Sequence, residues 1–408
     1  MGIHMVQTPS PARIAWIDNL RTLMIVLVVN MHACVTYSHV GGWYRMEDPE
    51  PAMPVKIAFI LWQGHLQAFF MGLLFFLAGV FAHRSLERRR AGAFLKERAR
   101  RLGLPSLVFM LLFQPFMVYV LLGHPHIPDR PSLAALYTSY LTSGRVLRGN
   151  GPMWFALALL FFSAALVGLR AWKAGKTAPA IPASRAPNGV ALAGFGAVLV
   201  ASTFLVRTVQ PLGTDVLNFQ LCFFPQYIAA FIVGVAAGKH DWLEALATSR
   251  PARIAGWLGV IGGPVVLAAV VAVGGPPPEN GPNPYIGGWN ARAFALATWE
   301  QFAGLGIALG MLAWFHRRWN TAGRVATWLS ERAFAVYLLH APVLVALSRN
   351  PEVLRREILE KTLGGLEGKT FLAVIDRQDR PVYSAQPLDD ASRVVTATFG
   401  DGLPTWRV

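Results

Sequence analysis

The sequence is short of charge and of cysteine. Asp, Glu, Lys and Arg make up only 14% of its 408 residues, too few to cover a water-soluble fold of this length, which excludes an ordinary soluble enzyme of one or two domains. Two cysteines, Cys34 and Cys222, both within apolar runs, exclude a disulfide scaffold and a cysteine-based metal centre, and no metal site is expected. Acidic residues are scarcer than basic ones, 22 against 37, giving a formal charge of +15. Nucleic-acid binders concentrate such an excess on soluble modules. Here it falls between apolar runs, so no nucleic-acid partner is expected. No repeat of 20–50 residues is present, and the one low-complexity stretch, residues 173–188, reads as a flexible connector.

What is abundant is apolar sequence: 54% of residues are hydrophobic and the mean hydropathy is +0.42. A helix needs roughly 20 predominantly apolar residues to cross a bilayer. Nine segments meet that requirement, at about 14–38, 55–82, 102–123, 152–172, 189–206, 219–238, 254–273, 292–314 and 325–348. The expected fold is therefore an all-α polytopic membrane bundle over residues 1–348. The first segment carries Asp18, Arg21 and His32 and is followed by eight more, so it is not read as a removable signal peptide.

Positive charge places the segments in the membrane. Residues 84–101 hold Arg84, Arg88, Arg89, Arg90, Lys96, Arg98, Arg100 and Arg101, and later loops on the same side add Lys173, Lys176, Lys239, Arg250, Arg317 and Arg324. Short cytoplasmic loops retain such charge, so the N-terminus is expected inside and residue 349, after nine spans, outside. From Arg349 to Val408 the composition changes to nine basic and nine acidic residues, and the whole excess of +15 belongs to residues 1–348. Residues 349–408 read as a small, soluble-like α+β tail, helical at 351–362 and then stranded at 371–375, 381–385 and 393–399.

Ionisable groups inside spans are costly, ~2.5–3.5 kcal/mol each at a helix centre on insertion scales, and mark function. Arg21 and His32 are eleven residues apart, about three turns and ~16 Å along one helix face, and Asp18 can pair with Arg21 at i, i+3. The plain alternative is that Arg21 snorkels to headgroups and His32 hydrogen-bonds a neighbouring helix. His65, Glu300 and His340 fall at a similar depth, and an imidazole is a natural partner for the Glu300 carboxylate. Asn30 and Gln67 read as interhelical hydrogen bonders. Arg98 and Arg101, read as standing just before the third span, present two guanidinium forks suited to the phosphates of a nucleotide-like cofactor. Membrane topology and attraction to anionic lipid alone select for such a basic run as well.

These residues resemble the integral-membrane acyltransferases of the acyltransferase-3 type, among them glucan succinyltransferases and polysaccharide O-acetyltransferases. The resemblance covers about residues 13–348. It is carried by Ile17-Asp18-Asn19-Leu20-Arg21 with His32, by residues 69–79 followed by the basic run and Arg98-x-x-Arg101, by Gly151-Pro152-Met153-Trp154-Phe155, and by Ser330-Glu331-Arg332 leading to Tyr337-Leu338-Leu339-His340. It implies transfer of an acetyl or succinyl group from cytoplasmic acyl-CoA, a co-substrate rather than a tightly bound cofactor, to a hydroxyl of an extracytoplasmic glycan or lipid-linked saccharide, in a bacterial inner membrane. His32 would then be general base or nucleophile, with both roles left open. Arg21, Arg98 and Arg101 would hold the CoA. By depth alone, Glu300 or His340 would orient His32 and His65 would meet substrate. Such proteins usually have ten spans; here a charged tail replaces the last, and a fused or truncated fragment is expected there. The rival class is a proton-coupled secondary transporter with His32, His65 and Glu300 as its relay, although the internal repeats and broken helices such a protein favours are not evident.

Overall fold

A computed structural model describes residues 14–47, 49–121, 132–174, 185–278 and 280–349, together with strands at 372–375, 381–384, 395–400 and 403–407. It divides into two compact units, Met1–Pro342 and Val343–Val408.

The first unit is helical. Nine helices among the described residues are long and apolar enough to cross a bilayer: α1 (Ala15–Ser38), α2 (Met53–Glu87), α3 (Ala91–Tyr119), α5 (Gly151–Lys173), α6 (Gly189–Arg207), α7 (Leu221–Lys239), α9 (Arg250–Gly274), α10 (Ala291–Arg318) and α11 (Arg324–Ser348). Two short helices, α4 (Leu133–Thr142) and α8 (Trp242–Thr248), lie between them. The protein is thus a multi-pass membrane protein, as its apolar periods require. Polar side chains set the helix starts: Ser132, Asn188, Ser249 and Asn290 each accept a backbone N–H three residues on, satisfying a donor that the helix itself leaves free. The second unit carries β1 (Leu372–Ile375), β2 (Pro381–Ser384), β3 (Val395–Gly400) and β4 (Leu403–Arg407) in one sheet of order 2-1-3-4. Its central pair is parallel and its outer pairs antiparallel. The expected helix at 351–362 lies outside the described residues.

The core forms around α2, whose run from Phe69 to Leu77 is buried on every side. Its main partner is α7. A Cβ at Gly79 would collide with the Phe231 carbonyl and one at Gly234 with the Phe76 carbonyl, so the two backbones touch at a reciprocal glycine crossing, the small-residue packing that lets helices associate in lipid. Gly234→Leu is expected to force α7 off α2, at the upper end of the ~1–3 kcal/mol cost of overpacking, and to lower the thermal midpoint in detergent. The equivalent change at Gly194, where a Cβ meets nothing within 4 Å, should leave it unmoved. Asn30 accepts from the Trp62 indole N–H at 2.8 Å and Gln67 donates to the Tyr227 hydroxyl at 3.0 Å, the interhelical bonds their positions predict.

One boundary differs from expectation. The basic run 84–101 is not a loop: α2 continues to Glu87 and α3 begins at Ala91. Arg and Lys are good helix formers, so the charge marks the membrane edge and not the helix end. Arg98 and Arg101 therefore sit inside α3, about two and three turns from its start. The helix widens to π-type turns at Ala99–Gly103, Phe109–Phe113 and Met117–Leu121. Pro115 cannot donate to the carbonyls of Leu111 and Met110. Tyr137 and Tyr140 of α4 bring donors to both of these carbonyls, their hydroxyls reaching Leu111 at 3.2 Å and Met110 at 2.8 Å.

Candidate functional site

The site has two parts, one at each end of α1. At its N-terminal end, Ile14, Asp18 and Arg21 line a cavity of about 600 Å³ with Phe81, Arg84, Ser85, Arg88 and Arg89 of the α2 end and its connection to α3, Arg101 of α3 and Ser330 of α11. Five guanidinium groups face one carboxylate there. Asp18 pairs with Arg21 at 3.6 Å across one helical turn, and Arg21 also lies over the Phe81 ring at 5.7 Å. Arg101 is held by Glu97. Arg98 stacks on Phe94 at 5.1 Å and lies in the field of Arg101, Arg21 and Arg89. Asn19 donates to the carbonyls of Trp319 and Thr321, at 2.8 and 3.2 Å, tying this end of α1 to the chain entering α11. The surplus positive charge in a concave site suits a multiply charged anion such as a polyphosphate.

Towards the other end of α1, about three turns on, three nearly parallel aromatic rings cluster. The half-buried His32 imidazole lies face to face with the Trp43 indole, centroids 3.9 Å apart at 19°, and the His340 imidazole lies beside the pair, nearly parallel, 5.2 Å from His32 and 6.2 Å from Trp43. His340 Nδ1 is 2.7 Å from the Tyr337 carbonyl. A carbonyl only accepts, so Nδ1 carries the hydrogen and the neutral ring presents its lone pair at Nε2, which is buried without a partner. His32 Nδ1 is likewise buried and unpartnered. Two unsatisfied imidazole nitrogens in adjoining rings are costly to keep in an apolar interior and are unlike the satisfied pattern of a structural core. Tyr337 in turn donates to the Pro152 carbonyl, which ties α11 to the start of α5.

Trp43 reaches His32 because the chain doubles back. His39 ends α1 in a left-handed conformation, φ 56°, and Gly41 follows at φ +100°, a conformation that side-chain-bearing residues rarely adopt. Tyr44 then donates to Gln114 of α3 at 2.5 Å. Burial holds the Tyr44 hydroxyl well above its usual pKa, and Tyr140 beside it is pushed up to about 12 by the same cause. Both remain protonated donors throughout the physiological range.

The other expected site residues lie elsewhere. Glu300 has Arg207, not an imidazole, as its partner: the two carboxylate oxygens accept from Arg207 Nη2 at 2.9 and 2.8 Å, Gln301 adds a bond at 3.1 Å, and both charged residues are buried. The expected span ended at residue 206, one short of this cation, and so left the carboxylate without its partner. His65 donates from Nδ1 to its own helix at Leu61, 2.6 Å, and packs on the Trp299 edge and against Gly263, at the α2, α9 and α10 interface. The structure thus brings His32 to His340, and Arg21 to Arg101 with Arg98 close by. Glu300 and His65 sit at separate helix contacts. Sequence reading missed Trp43 and Arg207; the pair Gly41-Gly42 before an aromatic is the signal that a returning turn leaves. No group of three or more His, Cys, Asp or Glu placed to hold a metal ion occurs among the described residues.

A basic cavity at one end of α1 and, at its other end, an imidazole of α1 beside one of α11 are parts that a group transfer could use. Residues 14–349 match the family model described as an acyltransferase domain, and the chain belongs to that family. Among its similar curated relatives are proteins named glucans biosynthesis protein C from Salmonella heidelberg (strain SL476), Salmonella typhi and Salmonella typhimurium (strain LT2), each 26% identical over 256 residues, which is 61% of this chain. The match covers 64% of the relatives' own length. No solved structure matches the chain.

Proposed function

We propose that the protein transfers an acyl group, acetyl or succinyl, from acyl-CoA to a hydroxyl of a glycan or lipid-linked saccharide on the other side of the membrane. The observation that carries this reading is the placement of an unpartnered imidazole, His32, on the same helix as Arg21, which enters the basic cavity. The CoA phosphates would be held by Arg21, Arg98 and Arg101, with the pantetheine arm carrying the thioester towards the stacked rings. His32 would accept the proton of the acceptor hydroxyl as that oxygen attacks the thioester carbonyl. The C–S bond then breaks, the new C–O ester bond remains with the acceptor, and the CoA sulfur leaves with the proton returned from the imidazolium. Attack by His32 itself, giving an acyl-imidazole that the acceptor then opens, satisfies the same balance. The relatives' name, glucans biosynthesis protein C, favours glucan as the acceptor class. Under this reading the basic end faces the cytoplasm and the bacterial inner membrane is the location.

Pairing of Glu300 with Arg207 leaves a transporter's His/Glu relay without its carboxylate, which favours the enzyme. The test is protein reconstituted with radiolabelled acetyl-CoA: hydrolysis or acceptor labelling supports acyl transfer, whereas substrate flux without either sinks it. In the same assay Arg98→Ala with Arg101→Ala is expected to raise KM for acyl-CoA on the order of tenfold or more, as loss of two charge-assisted contacts implies, with acceptor KM unchanged. Unaltered acyl-CoA affinity would return the basic run to a topological role.

A further inference from the structure

His32 is oriented without the usual device. A working imidazole is ordinarily fixed by a hydrogen bond from one ring nitrogen to a carboxylate or a carbonyl, and His340 and His65 follow that pattern through Tyr337 and Leu61. His32 Nδ1 is buried with no partner, and no carboxylate bonds it among the described residues: Glu300 is bonded to Arg207, and Glu47 Oε2 is itself unpartnered. The ring is held by one face instead, against the Trp43 indole at 3.9 Å, with His340 beside it.

Trp43 belongs to the segment joining α1 to α2, and that segment is pinned at several points. The Glu47 amide donates to the Thr36 carbonyl at 2.8 Å, His39 Nε2 donates to the Glu47 carbonyl at 2.7 Å, Gln63 donates to the Val40 carbonyl at 3.2 Å, and Tyr44 is bonded to Gln114. Gly41 and Gly42 precede the indole, and nothing lies within 4 Å of a Cβ placed at Gly42. A connection that packed only for stability would have no need to present its indole face to an imidazole.

We propose that Trp43 is the positioning residue for His32: the indole face sets the plane of the imidazole and seals that face from water. This rests on the acyl-transfer reading for its kinetic consequence but not for its geometry. A stacked indole takes the place of the orienting carboxylate, and its π face favours the positive charge that His32 acquires when it takes a proton or an acyl group. His32 so held turns with little reorganisation between its resting and charged states.

The test uses full-length protein in detergent with diethyl pyrocarbonate, which acylates imidazole nitrogen without any CoA donor, and mass spectrometry to read each histidine. Trp43→Ala is expected to raise the labelling rate of His32 several-fold while His316, beside Trp16 at the far end of the bundle, keeps its rate; Trp43→Phe should retain the slow rate. With acyl-CoA, Trp43→Ala should lower kcat by on the order of a hundredfold, the scale of ångström misplacement at a reacting group, with KM for acyl-CoA unchanged, and Trp43→Phe should recover most of it. Unchanged His32 labelling in Trp43→Ala, or an equal fall in kcat for both variants, overturns the proposal. Faster labelling of His316 as well would mean that Trp43→Ala has loosened the fold. Tyr44→Phe, which keeps the indole but removes its neighbour's bond to Gln114, then decides: faster labelling of His32 alone supports the proposal and an unchanged rate overturns it. Faster His32 labelling in a protein that turns over no acyl-CoA would leave the positioning role standing and remove the acyl-transfer reading.

Discussion

His32→Ala is expected to abolish acyl transfer, a loss on the order of 10²–10⁴ in kcat if the imidazole is a general base and larger if it is the nucleophile, with the thermal midpoint in detergent little changed. The fold should survive because His32 makes no side-chain hydrogen bond that another group would miss: its Nδ1 is unpartnered, and α1 is anchored by Leu20, Met24, Met31 and Asn19 instead. Alanine removes two stacking contacts and relieves one buried, unsatisfied nitrogen, effects of opposite sign. A variant with full activity would remove the mechanism outright. The measurement is initial rate against acyl-CoA, with membrane-inserted protein quantified for each variant.

Glu300→Gln is expected to do the reverse, destabilising the bundle by about 3–5 kcal/mol, because it leaves the Arg207 guanidinium charged and buried without its counter-ion. Arg207 already has Nε and Nη1 without partners, so its charge depends on the bidentate carboxylate and on the Phe223 ring at 5.3 Å. Replacing both members together, Arg207→Met with Glu300→Leu, should recover most of the loss, since an apolar pair of similar volume removes the need for compensation. Thermal unfolding in detergent reads both. If Glu300→Gln melts with the parent and only the rate falls, the carboxylate acts in the chemistry, and the pair is not a structural clip.

Much of this architecture was legible in the residue order. The spans were recoverable because lipid leaves one requirement, some 20 apolar residues with internal hydrogen bonds, and the sequence satisfies it nine times. The Arg21 and His32 relation followed from helical period alone. Partner identity was harder to read, because depth in the membrane says nothing about which helix lies beside which. Glu300 and His32 were expected at comparable depths, yet the packing of α6 against α10 gives the carboxylate to Arg207 while α11 brings His340 to His32. Trp43 was invisible for a further reason: an aromatic after a span is what the interface selects anyway, and only the left-handed turns at His39 and Gly41 send it back inside.

The tyrosine donors on α4 carry a consequence for how the chain is made. A membrane helix that emerges alone must satisfy its own backbone, and α3 is one donor short at Pro115, at a cost of several kcal/mol for a carbonyl left facing hydrocarbon. The ribosome delivers α3 before Tyr137 and Tyr140 exist. Between those two moments the nascent helix lacks the two hydroxyl donors that α4 brings, and α3 is expected to settle fully in the bilayer only once α4 has been made.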